Sequence, residues 1–384
     1  ETGSGKTLAF ALPAVTRLLK ESASDSKKKQ NVVSILVLSP TRELAIQSHE
    51  TFKEIAEPFG FTSVCVYGGA PKHEQRTLLK GSKTQSVRII VATPGRLIDF
   101  LNEGAVSLKE VSYLVLDEAD RMLDNGFEND IRKIIAETIQ GQGRQTLMFS
   151  ATWPECVRRL AASFQRNPVR ITVGSDDLTA NSRVEQFVEV IQDREKRNRL
   201  EALLKSVNHP KQGQKATNSR ILVFCLYKKE ASRVEENLKW LGYDVAAIHG
   251  DLRQSAREKA LGEFKDGTAG LLVATDVAAR GLDIPNVTMV INYTFPLTVE
   301  DYVHRIGRTG RGGKSGKSHT FFTGDNHERA LAGELARVLA DSGFKCEDLK
   351  QFPMTIKKRE HSAYGAFYKD TSSAPTAGTK IKFG

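Results

Sequence analysis

The sequence predicts an α/β protein with two successive parallel sheets, each flanked by helices, and a flexible C-terminal tail. Three observations predict it. Short runs of branched apolar residues alternate with longer amphipathic segments, the pattern of a parallel sheet covered by helices. The alternation lapses around Val173-Gly174-Ser175-Asp176-Asp177 and then restarts. The apolar runs end in polar clusters, as expected where the C-terminal ends of parallel strands form a binding edge.

In the first half, Ile35 to Leu38, Ile89 to Val91, Tyr113 to Leu116 and Leu147 to Phe149 read as buried strands, too short for helices. They run into Pro40-Thr41-Arg42-Glu43, Thr93-Pro94-Gly95-Arg96, Asp117-Glu118-Ala119-Asp120 and Ser150-Ala151-Thr152. Arg42 to Ala56 reads as a helix closed by Pro58 and Gly60. In the second half, Ile221 to Phe224, Val245 to Ile248, Leu271 to Ala274 and Met289 to Ile291 repeat the strand pattern. His249-Gly250-Asp251 and Thr275-Asp276 stand at their ends. The division is therefore a first domain over 1–173, a linker over 174–183, a second domain over 184–345 and a tail over 346–384. Glu21 to Asn31 and Gln212 to Ser219 read as polar surface loops.

The composition is that of a soluble globular chain: 384 residues, 40% hydrophobic and 27% charged. No apolar run approaches membrane-spanning length, which argues against an integral membrane protein. A formal charge of +10 favours a polyanionic partner or an acidic surface. Four dispersed cysteines form no CxxC pair, so neither a metal site nor a disulfide framework is expected. In the tail, basic residues such as Lys357-Lys358-Arg359 interleave with Tyr364, Phe367 and Tyr368. That mixture suits RNA, and equally an extension packed on the second domain.

The chemistry begins at the first residues. Thr2-Gly3-Ser4-Gly5-Lys6-Thr7 is most of a phosphate-binding loop. Its glycines let backbone N–H groups curl around phosphates, Lys6 reaches the β- and γ-phosphates, and Thr7 offers a hydroxyl to Mg²⁺. The run Leu8 to Val15 reads as the helix whose N-terminus faces that anion. Next to such a loop, Asp117 is suited to hold Mg²⁺ and Glu118 to orient and deprotonate water. In His304-Arg305-Ile306-Gly307-Arg308-Thr309-Gly310-Arg311 the arginines recur every three residues and are expected to project from one side of a helical turn. They can serve as arginine fingers on a γ-phosphate, or contact the phosphates of a nucleic acid.

Taken in order, the phosphate loop, Pro40 to Ala45, Gly68-Gly69, Thr93 to Arg96, Asp117 to Asp120, Ser150 to Thr152, Gln254 with Arg257, Thr275 to Asp283 and His304 to Arg311 resemble the motifs of the DEAD-box RNA helicases. The resemblance implies two RecA-like domains with ATP and Mg²⁺ between them and RNA across both. It gives Lys6, Thr7, Asp117 and Glu118 to ATP and Mg²⁺, Asp283 to the ribose, and Arg308 and Arg311 to the γ-phosphate. It gives Arg42, Gly69, Thr93, Arg96, Gly250, Arg257 and Thr275 to the RNA backbone. Coupling between hydrolysis and RNA falls to Ser150, Thr152, Asp120 and His304. Met148 to Pro154, His361 to Phe367 and Gly378 to Phe383 resemble the fungal nucleolar helicases of large-subunit ribosome assembly. That finer likeness implies a monomeric nuclear and nucleolar enzyme acting on pre-rRNA among pre-ribosomal proteins. An ATP-gated RNA clamp and a DNA translocase are the rival readings. The family's first strand and adenine-reading motif would precede Glu1, so the chain is expected to fold poorly at its N-terminal edge and to hydrolyse ATP weakly.

Overall fold

The computed structural model describes residues 5–24, 32–81, 87–124, 126–150, 152–153, 155–172, 183–214, 216, 219–276, 286–311 and 313–355. The chain divides into two compact units, residues 4–172 and 173–384.

The first unit opens with helix α1, Lys6–Ser24, and then alternates. Its strands are β1 (Ile35–Leu38), β2 (Thr62–Val66), β3 (Val87–Ala92), β4 (Tyr113–Leu116) and β5 (Gln145–Met148). Helices α2 (Arg42–Ala56), α3 (Lys72–Leu79), α4 (Pro94–Asn102), α5 (Ala119–Asp124), α6 (Glu128–Ala136) and α7 (Glu155–Phe164) fill the crossovers. The sheet is parallel, in the order β2-β3-β1-β4-β5. Central strands are buried at every position, and apolar at all but Arg88 of β3, because helices cover both faces. One core packs Leu36, Ile90, Leu114 and Phe100; the other packs Val37, Val91, Val115 and Phe10. Helix α2 starts where the Thr41 hydroxyl accepts the Leu44 N–H at 3.3 Å, and ends in a turn through Pro58 to Gly60 at φ 78°.

Several boundaries differ from the sequence reading: β3 is longer at both ends, running from Val87 to Ala92. Helix α1 runs to Ser24, so the loop expected from Glu21 begins later. The last strand starts at Gln145, not Leu147, and borders the sheet with exposed or half-buried residues. Helix α1 reaches it through Arg17, whose Nη1 lies 3.4 Å from Gln145 Oε1, and exposes Leu8 and Leu12. Val169 and Ile171 are 85% and 82% exposed.

The second unit contains β6 (Val184–Val190), β7 (Arg220–Cys225), β8 (Val245–Ile248), β9 (Leu271–Thr275), β10 (Val287–Asn292) and β11 (Gly316–Phe322). Its helices are α8 (Lys196–Ser206), α9 (Lys228–Trp240), α10 (Gln254–Asp266), α11 (Val299–Ile306) and α12 (Glu328–Asp341). The sheet is again parallel, in the order β6-β11-β10-β7-β9-β8. Residues 346–355 pack on this unit. Leu349 is buried, the Phe352 ring meets Phe322 at 5.4 Å, and Gly324 and Gly333 clear the space that Phe352 and Met354 occupy. The packed reading of the extension therefore holds for its first ten residues; the basic, aromatic stretch beyond lies outside the described residues, as do linker positions 174–182.

Candidate active site and nucleic-acid interface

In the first unit the strands point their C-terminal ends at one edge, and the motif residues collect there. The N-terminus of α1 brings Gly5 (φ 81°), Lys6 and Thr7 to that edge, with exposed or half-buried side chains. Thr2, Gly3 and Ser4 lie outside the described residues. Asp117, just past β4, is only 3% exposed. Burial, then the Glu118 charge, lifts its carboxyl to about 7, while Lys6 pulls the other way. Glu118 adopts a left-handed conformation, φ 49°, and its N–H donates to Asp117 Oδ1 at 3.1 Å. Such a conformation is strained for a glutamate and recurs at functional sites. The turn leaves Glu118 half-buried while Asp117 stays inside.

Asp120 ties this turn to the next strand end. Its Oδ2 accepts the Thr152 N–H at 3.0 Å and the Thr152 hydroxyl at 2.7 Å, and its own N–H donates to Ser150 Oγ at 3.3 Å. All three predicted coupling residues of this unit are thus joined.

A second cluster forms at the ends of β2 and β3. Gly69 has φ 83°, and a Cβ added there would lie 2.5 Å from Arg42 Nη1. The glycine is required twice, for its backbone and for the guanidinium resting on it. Arg96 donates from both terminal nitrogens to the Ala70 carbonyl at 3.1 and 3.2 Å, and the Thr93 N–H donates to the Val66 carbonyl. Arg42, Gly69, Thr93 and Arg96, scattered in sequence, therefore meet around one turn.

In the second unit Gly250 is exposed after β8, Thr275 ends β9, and Arg257 lies 7% exposed in α10. Asp283 is outside the described residues. Along the arginine run the structure corrects one expectation. Neither Arg305 nor Arg308 projects: Arg308 is 4% exposed, and Arg305, 2% exposed, forms a bidentate pair with Asp276, at 2.6 Å from Nε and 2.5 Å from Nη2. Its Nη1 donates to the Thr294 carbonyl at 2.7 Å. The reason is helical geometry, since Arg305 falls three residues after buried Tyr302 on the inward face of α11. Arg308 and Arg311 lie beyond the helix end, where their Nε atoms donate to the His304 and Gly307 carbonyls. His304 is 8% exposed.

A phosphate-loop helix beside a buried aspartate, on a parallel sheet, defines a P-loop nucleotide hydrolase class. Comparison with known proteins narrows it. Residues 1–160 match the DEAD/DEAH box helicase family and residues 195–313 the helicase conserved C-terminal domain. The chain is 57% identical to the ATP-dependent RNA helicase DBP3 of Cryptococcus neoformans, covering all of this chain and 64% of that relative. It is 56% identical to the Saccharomyces cerevisiae protein of the same name, over 96% of this chain and 68% of that one. Among solved structures, S. cerevisiae Dbp5 bound to RNA and ADP BeF3 matches with TM-score 0.73 and 28% identity, over 89% of this chain and 82% of its own. The DEAD-box helicase Mss116 bound to ssRNA and UDP-BeF matches with TM-score 0.75 and 29% identity, over 91% and 72%. The chain belongs to the DEAD-box helicase family, and its two parallel sheets are the family's tandem RecA-like domains.

Proposed function

We propose that the protein carrying this chain is an ATP-dependent RNA helicase that couples ATP hydrolysis to local separation of short RNA duplexes. The observation that carries the reading is the β4 turn. It holds Asp117 and Glu118 beside Lys6, while Asp120 of the same turn grips Ser150 and Thr152. Catalytic and coupling groups thus share one rigid segment.

The residues fit a magnesium ion. Asp117 is a carboxylate held where its own charge is unfavourable, and a divalent cation would relieve that. Asp117 and the Thr7 hydroxyl would hold the ion, partly through water; when bound, it supplies positive charge to phosphate oxygens. Residues 2–7 cradle the triphosphate, with Lys6 on its β- and γ-oxygens. Glu118 orients the attacking water and takes its proton. Arg308 and Arg311, from the second unit, add positive charge as the γ-phosphoryl leaves, and Asp283 contacts the ribose. The turn joining Arg42, Gly69, Thr93 and Arg96, with Gly250, Arg257 and Thr275, would track the RNA backbone without a base code. His304 stands with Ser150, Thr152 and Asp120 as a coupling residue.

The resemblance of Met148 to Pro154 and of the tail to nucleolar helicases supports pre-rRNA as the substrate, pre-ribosomal proteins as neighbours and the nucleolus as the site of action, with the protein a monomer. A strand-displacement assay decides the activity. Release of a short RNA strand that depends on ATP supports the helicase reading; a long-lived complex without release supports a clamp. ATPase stimulated by DNA alone would sink the RNA reading.

A further inference from the structure

Away from the motif residues, helices α8 and α9 border a cleft of about 320 Å³ in the second unit. Leu200, Val234 and Tyr293 give it apolar walls, and Arg197 and Arg233 line it with positive charge. The acidic groups on its rim are already engaged. Asp193 pairs with Lys196 Nζ at 3.0 Å, and Glu230 accepts the Leu226 N–H at 3.2 Å. Arg197 and Arg233 are exposed and make no ion pair among the described residues; Arg197 instead lies 5.9 Å from the Trp240 ring, which is 78% exposed. Asn237 Oδ1, on the same cleft, is buried without a hydrogen-bond partner among the described residues. The cleft adjoins a second one of about 400 Å³ that shares Glu230 and Arg233 and adds Lys229 and the 62%-exposed Tyr227.

We propose that the α8–α9 groove docks a short acidic peptide segment of a partner protein, anchored by one aromatic or large apolar side chain. Each feature has a counterpart in such a ligand. Carboxylates meet Arg197, Arg233 and Lys229 as charge-assisted pairs. The anchor fills the space between Leu200, Val234 and Tyr293, and Trp240 closes over it, as aromatic and arginine residues do at interface hot spots. A peptide N–H satisfies Asn237 Oδ1, a donor that a phosphodiester lacks. The apolar walls of Leu200, Val234 and Tyr293 and the Asn237 acceptor, rather than charge, favour a peptide over a phosphate chain.

The test uses the 384-residue chain with Trp153→Phe, which leaves Trp240 as the sole indole of the two. It is titrated with a twelve-residue peptide of glutamates and aspartates around a central phenylalanine. Trp240 emission should shift and saturate. Arg197→Glu with Arg233→Glu should weaken binding at least about tenfold while ATPase stays unchanged, and replacing the phenylalanine by serine should weaken it similarly. Calorimetry on Trp240→Ala, which needs no fluorescence, should show the same loss. No binding at millimolar peptide, or equal binding by the double arginine variant, overturns the proposal. So does an oligouridine that displaces the peptide in an arginine-dependent way, which would make the groove a nucleic-acid site.

Discussion

Gly69 shows how much one residue decides. Any side chain there meets the Arg42 guanidinium and must hold φ near 83°, a conformation that costs an L-residue about 1–2 kcal/mol. Gly69→Ala should therefore displace Arg42 and weaken RNA binding several-fold with ATP affinity unchanged, as measured by fluorescence anisotropy. His209 sets a pH limit. It is 6% exposed and packs 5.8 Å from the Tyr243 ring, and burial, with Lys211 nearby, lowers its pKa from 6.5 to about 4. The unfolded chain then binds more protons between those values, so stability is full above pH 6.5 and falls as pH drops toward 4. The second unit should lose about 2 kcal/mol between pH 7 and pH 5 from this group alone. Urea midpoints at the two pH values check this, and His209→Gln should remove most of the difference. The residues proposed for catalysis could be named from sequence because each sits in a dense local motif. The meeting of Arg42, Gly69 and Arg96 was not, because it is made by strands that bring distant turns together.

At the scale of elements, what the sequence revealed depended on whether burial came with apolar residues. Strands β1, β4 and β8 were legible to the residue, since each is a continuous apolar run. Strands β2, β6 and β11 were not. Strand β11 is Gly-Lys-Ser-His-Thr-Phe-Phe, yet Ser318, His319 and Thr320 are buried, and the Thr320 and His319 side chains meet polar groups only in the folded sheet. Asn292 Nδ2 donates to Thr320 Oγ1 at 3.0 Å, and His319 Nε2 lies 2.9 Å from Glu189 Oε1 on neighbouring β6. Arg305 was misread for the same reason, its partner Asp276 standing at the end of another strand. Helix α11 is tied to β9 through that pair, and removing one partner leaves a buried charge. Arg305→Met should destabilise the second unit by about 3–5 kcal/mol, read as an earlier thermal transition than that of the intact chain.

For the whole molecule, the proposed function divides the labour between the two units. In that proposal one RecA-like unit supplies the phosphate loop, the aspartate that would hold the metal and the base, and the other supplies the two arginines past the end of α11. Neither set alone supplies the charges phosphoryl transfer needs. Glu118→Gln should keep ATP binding and slow hydrolysis by about 10²–10⁴-fold, the usual contribution of a positioned base. The most direct measurement is single-turnover ATP hydrolysis at saturating RNA, comparing the intact protein with Arg308→Ala. A loss of about 10³-fold or more, with nucleotide-free RNA affinity preserved, is the predicted result. An unchanged rate would contradict it, because Arg308 would then contribute nothing to the chemistry.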